Sequence, residues 1–169
     1  MSGSTSAKSH KPLLLIDIDG VISLFGGRPG TEAGSFHSID GMFHFLSSTA
    51  AAHLLDLQGQ FELAWCSGWE EKANEHLPHL LGLPPALPYL RFERAVGRAN
   101  AHWKLAAIDA FAGQRALAWI DDALNEACHE WATSREGPTL LVETDPALGL
   151  TAPQAELLSD WAHRLSAPR

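Results

Sequence analysis

Cysteine is nearly absent: Cys66 and Cys128 are the only two in 169 residues. Two thiols cannot build a framework of several disulfides, so the chain suits a reducing compartment, with both read as small buried residues. Positive charge is scarce as well. Twelve Lys and Arg stand against twenty Asp and Glu, a net charge of −8 at pH 7. That balance argues against binding nucleic acid or anionic membrane through the whole surface, and leaves one local basic patch open. Long apolar runs are missing too, with nothing near the roughly 18 residues that span a bilayer. The first apolar run, Leu13 to Ile16, is interrupted at once by Asp17 and Asp19, too soon for a signal peptide. The expectation is a cytoplasmic protein without a membrane partner, with a disordered leader over residues 1–11.

What is present supports a packed core. Apolar residues make up 46% and charged residues 19%, which excludes wholesale disorder, and residues 12–169 fit one domain. Pro12 to Ile18 is continuously apolar up to Asp17, the pattern of a strand buried on both faces. Phe36 to Ile39 and Met42 to Phe45 flank Asp40-Gly41, the dipeptide of a type I′ turn, and predict a small hairpin. Further strands are expected at Phe61 to Cys66, Tyr89 to Phe92, Ala116 to Ile120 and Thr139 to Val142. Helices are expected from Ser47–Thr49 to Leu57, Trp69 to Leu81, Trp103 to Phe111, Ala123 to Thr133 and Pro153 to Leu165. Strand–helix alternation predicts an α/β fold. The expected architecture is a three-layer Rossmann-like sandwich with a five-stranded, mostly parallel sheet, a hairpin flap and no large cap.

Ligands of open parallel sheets bind beyond the carboxyl ends of the strands. Asp17-Ile18-Asp19-Gly20 ends the first strand, Ser67-Gly68 the second and Asp121-Asp122 the fourth, while Lys104 starts the helix feeding that fourth strand. Asp17 and Asp19, two apart, share one face. Carboxylates gathered at one rim repel and call for a cation, and an all-oxygen set suits a hard ion, Mg²⁺ before Zn²⁺ or Cu²⁺. Lys104 adds positive charge for an anionic, phosphorylated substrate.

Asp17-x-Asp19-Gly20-Val21, a Ser after strand two, a Lys before strand four and Asp121-Asp122 after it, in that order, resemble the four motifs of the haloacid dehalogenase (HAD) superfamily. Phe61 to Glu70, Leu117 to Asp122 and Asp145 to Thr151 are similar to a small capless branch, the HAD domains associated with RNA-repair proteins. The resemblance implies phosphoryl transfer through an aspartyl-phosphate. Asp17 is then the nucleophile and Asp19 the general acid and base. Asp17, the Asp19 carbonyl and Asp121 form the Mg²⁺ site, with Asp122 either a further ligand or a support behind one, and Ser67, Gly68 and Lys104 hold the phosphoryl group.

Other readings of the same residues stand beside these. Ser67-x-x-Glu70 is also a capping box, Lys72 is a rival cation, and Asp122 serves equally as an N-cap. Asp145-Pro146 reads as a turn, and His76 and His79, without a third ligand, as a polar helix face. Trp65, Trp119 and Trp131 read as core, whereas Trp69 and Trp103 flank Ser67 and Lys104. Between Tyr89 and Lys104 the cations Arg91, Arg94, Arg98 and Lys104 face only Glu93. That stretch is either a solvated face or an approach for a polyanion such as a nucleic-acid end. The rival functions are a small-metabolite phosphatase closed by oligomerisation and a catalytically silent phosphate-binding module. A response-regulator receiver also carries an acidic pocket and a Lys, but without Asp-x-Asp on its first strand.

Overall fold

The apolar run at the start of the chain becomes β1 (Leu13–Ile16), all four residues buried, because a parallel strand lies on each side of it. The computed structural model describes residues 11–28, 31–93 and 100–168, so the expected leader, Lys11 apart, lies outside the described residues. After β1 come β2 (Ser23–Leu24), β3 (Gly34–Ile39), β4 (Met42–Ser47), α1 (Ser48–Leu57), β5 (Glu62–Trp65) and α2 (Lys72–Leu81). A short 3-10 helix (Ala101–Lys104) leads into α3 (Leu105–Ala112), followed by β6 (Leu117–Asp121), α4 (Glu126–Ser134), β7 (Thr139–Glu143) and α5 (Ala152–Ser166). None of the described helices is long and apolar enough to cross a membrane.

The main sheet has the order β5-β1-β6-β7, and every pair in it is parallel. Alternation along β1 divides the core. Leu14 and Ile16 pack with Leu54, Leu77 and Leu158 of α1, α2 and α5. Leu13 and Leu15 pack with Ile108 of α3, Cys128 of α4 and Trp119 of β6 on the opposite face. The result is three layers, helices on both faces of a parallel sheet. The chain leaves β1 toward β5 and later returns to its other side as β6. Strand order therefore reverses at β1, and the carboxyl end of that strand is the topological switch point where open sheets bind ligands.

Two expectations about the sheet are corrected. Among the described residues it has four strands, not five, because Tyr89 to Phe92 makes a single bridge to β5 at Trp65. Trp65 N–H donates to Pro88 O (2.8 Å) and Leu90 N–H to Trp65 O (3.0 Å). Pro88 has no N–H to extend the ladder backward, and Phe92 N–H turns aside to the Glu70 carboxylate at 3.2 Å. The hairpin, for its part, belongs to a three-stranded antiparallel sheet β2-β4-β3. Its turn is as expected: Asp40 and Gly41 take φ of 51° and 79°, the paired positive values of type I′. An exposed ion pair from Lys72 to Asp40 (2.7 Å) joins the hairpin tip to the start of α2, so Lys72 is committed away from the carboxylate rim.

Helix starts differ in two places. α2 begins at Lys72, after a turn in which Glu70 takes φ of 49°. Ser67 and Glu70 therefore do not form a capping box. α4 is capped by Asn125, which accepts from Cys128 N–H at 3.3 Å, so Asp122 is left out of the helix.

Candidate functional site

Asp17 directly follows the last residue of β1 and stays in register with the sheet, its N–H donating to Ile120 O at 3.0 Å. Beyond it the chain turns back sharply: the N–H groups of Val21, Ile22 and Ser23 all converge on Ile18 O. Gly20 sits in that turn with φ of +81°, and a Cβ there would lie 2.3 Å from Cγ of Asp122. Glycine is required twice over, by the backbone and by the carboxylate beside it. Thr144, buried just past β7, fixes the same turn by donating from Oγ1 to Gly20 O (2.8 Å). The motif Asp-x-Asp-Gly is thus shaped by strand ends far away in sequence.

Asp17, Asp121 and Asp122 each place a carboxylate oxygen within 4.8 Å of the others, and among the described residues no other trio of metal-ligating side chains does so. Lys104 enters this group from the 3-10 helix. Its ammonium lies 3.1 Å from Asp17 Oδ1 and 2.6 Å from Asp121 Oδ2, and donates to Cys66 O at 2.9 Å. Asp121 Oδ1 also accepts from Ala123 N–H (2.9 Å). Two of the three carboxylates share one buried ammonium, Asp122 lying beside them without a bond to it, so the cluster gathers more acid than cation.

The titration of these groups reflects that excess. Burial pushes the Asp17 carboxyl well above its usual range; Asp121 and Asp122 add to this while Lys104 opposes it. Burial and then Asp121 raise the Asp122 carboxyl as well. Burial alone would lower the Lys104 ammonium, but the Asp17 and Asp121 carboxylates outweigh it and hold the ammonium above its ordinary value. Burial also lifts the Cys66 thiol, leaving it an uncharged neighbour whose carbonyl is what the site uses. Such a cluster is where a metal ion can bind: the donors are all oxygen, and a cation would offset both the burial and the mutual repulsion that raise Asp17 and Asp122.

The other predicted residues divide into those at this edge and those elsewhere. Asp19 is half-buried, its Oδ2 accepting from the Trp69 indole N–H (3.2 Å), and its carboxylate stands outside the trio. Ser67 is buried at the end of β5, where its Oγ accepts from Trp69 N–H at 3.2 Å, and Gly68 beside it is exposed. The Trp103 ring lies edge-on to Phe92 and 5.5 Å from the Lys104 ammonium. Arg91 is exposed, bonded to Tyr89 Oη and stacked over that ring, while Arg94 and Arg98 lie outside the described residues. His76 and His79 stand 6.4 Å apart ring to ring on α2 and belong to no such trio. Asp145 turns the chain through bonds to Ala147, Leu148 and Gly149 N–H.

Thr144 was not among the predicted residues, although the rule that found the others, polar residues at the carboxyl ends of strands, applies to it. Ser23 and His44 were missed for a different reason. Ser23 Oγ lies 2.9 Å from His44 Nδ1, and the His44 ring stands edge-on to Trp69 at 5.0 Å. No local pattern announces that pairing. Comparison with protein-family models and with curated proteins finds no match for this chain.

Proposed function

We propose that the protein is a Mg²⁺-dependent phosphomonoester hydrolase of the HAD type. The observation that carries the reading is one buried constellation: Asp17 at the switch point, ion-paired to Lys104 and within ligand distance of Asp121 and Asp122. Asp17, Asp121 and Asp122, with the Asp19 carbonyl, would hold the ion, which supplies charge neutralisation for the phosphoryl oxygens. The all-oxygen donor set favours Mg²⁺ over softer metals.

The chain's own residues do the rest. Asp17 attacks phosphorus in line with the leaving oxygen and becomes an aspartyl-phosphate. Lys104 holds the Asp17 carboxylate by its Oδ1, keeping the nucleophile in one rotamer. Ser67 and Gly68, at the neighbouring strand end, receive the phosphoryl oxygens. Asp19 protonates the departing alcohol and then takes a proton from the water that opens the acyl-phosphate. Alignment and charge stabilisation, not covalent complexity, supply most of the rate.

Among the described residues, the chain inserts only the small sheet and α1 between β1 and β5, which supports an open site and a bulky substrate such as a phosphorylated nucleic-acid end. The net charge of −8 favours a second reading, a small-metabolite phosphatase closed by a neighbouring subunit. Turnover of nitrophenyl phosphate tests the core of the proposal. Wild type should be active with Mg²⁺, while Asp17→Asn and EDTA treatment should each abolish turnover; undiminished rate in either arm refutes the mechanism. Comparing a phosphorylated oligonucleotide with glycerol phosphate then decides between the two substrate classes.

A further inference from the structure

Trp69 touches two of the residues assigned above. Its backbone N–H donates to Ser67 Oγ and its indole N–H to Asp19 Oδ2, both at 3.2 Å. The ring is held in place by His44, edge-on at 5.0 Å. His44 is itself anchored to Ser23, a buried residue whose backbone bridges to Asp19. The small sheet, the β5 end and the β1 end thus meet at one indole.

We propose that Trp69 is the positioning residue for Asp19, and that it fixes which carboxyl oxygen carries the transferable proton. The inference rests on the phosphatase reading. An indole nitrogen only donates and bonds best to the carbonyl-type oxygen of a protonated carboxyl, so the bond to Oδ2 favours the proton on Oδ1. The proton that goes to the leaving alcohol therefore resides on Oδ1. When the ester bond to phosphorus breaks, that proton passes from Oδ1 to the departing oxygen. Asp19 is left as a carboxylate with Oδ2 still bonded to Trp69, and Oδ1 then accepts the proton of the attacking water. Without the indole N–H, both oxygens compete for the proton and the side chain loses its fixed rotamer.

Trp69→Phe keeps an aromatic ring against His44 and removes the donor. On glycerol phosphate, whose leaving group needs a proton, kcat should fall roughly 5- to 30-fold, the effect of one lost hydrogen bond. KM should stay within about twofold, as expected for an interaction used in the transition state. On nitrophenyl phosphate, which departs without help, the first-turnover burst of nitrophenol, read before the shared hydrolysis of the aspartyl-phosphate, should change by less than about twofold. Added to Asp19→Asn, Trp69→Phe should cost nothing more on either substrate. Independently of turnover, the Trp69 indole N–H resonance should move upfield in Asp19→Ala. Equal losses in the leaving-group step of both esters, no loss on either, or an unmoved indole resonance overturns the proposal while leaving the phosphatase reading intact. Wild type inactive on both esters, or Asp17→Asn as active as wild type, overturns both together.

Discussion

Lys104 has three ammonium protons and three protein acceptors: Asp17, Asp121 and the Cys66 carbonyl. A lysine so placed organises carboxylates, and its removal strands two buried acids. Breaking a buried pair from one side typically costs about 3–5 kcal/mol. Lys104→Met, which fills similar volume without the charge, should therefore lower stability by that order, measured by denaturant unfolding. Divalent cation should recover more of the loss in the variant than it adds to wild type, because it substitutes for the missing positive charge. A variant as stable as wild type without metal would show that Asp17 and Asp121 lie protonated or solvated, contrary to the ion pairs seen. Asp122 differs from Asp121. Only half-buried, it is held against Gly20 and not by Lys104.

Two turn glycines separate what an element demands of its backbone from what the site demands. Gly41, in the hairpin turn, has φ of +79° and open space where a Cβ would go; Gly20, after β1, has φ of +81° and Asp122 at 2.3 Å. Gly41→Ala should cost about 1–2 kcal/mol through the left-handed backbone alone and leave metal binding unchanged. Gly20→Ala should cost a further 1–3 kcal/mol or so from the clash and should also weaken the metal-dependent rise in melting temperature, since Asp122 must move. Equal metal responses in the two variants would contradict this assignment. The same contrast explains what the sequence made legible. A type I′ turn is set by two adjacent residues and β1 by a four-residue apolar run, so both can be read locally. The rim carboxylates were legible because a parallel sheet brings every strand's carboxyl end to one side. The edge bridge at Trp65, and a bond from Trp69 to an Asp fifty residues away, depend on packing that no short window contains.

Charge acts at the level of the whole molecule. A chain of net charge −8 repels itself, and the site concentrates that repulsion: three acids against one ammonium. In the metal-free protein Asp17 and Asp122 are both raised from an ordinary value of 3.8. Below that value both folded and unfolded chains hold these protons and the site costs nothing. Above it the unfolded chain releases protons that the folded one still holds, so stability falls as pH rises through the folded values. A cation bound among the carboxylates cancels the cost, and does so most where they are ionised. Mg²⁺ at about a hundred times its dissociation constant stabilises by roughly 2.7 kcal/mol, or about 5–10 °C in melting temperature for a domain of this size. The rise should be largest near neutral pH and shrink toward about pH 5. Asp122→Asn removes one of the raised groups, so without metal it should melt above wild type at neutral pH. Its pH dependence should be flatter and its response to Mg²⁺ smaller. Thermal melts of the two proteins at both pH values, with Mg²⁺ and with EDTA, give eight conditions. A Mg²⁺ response that is the same at both pH values, or unaltered in Asp122→Asn, would separate the metal from this cluster and remove the electrostatic reason for placing it there.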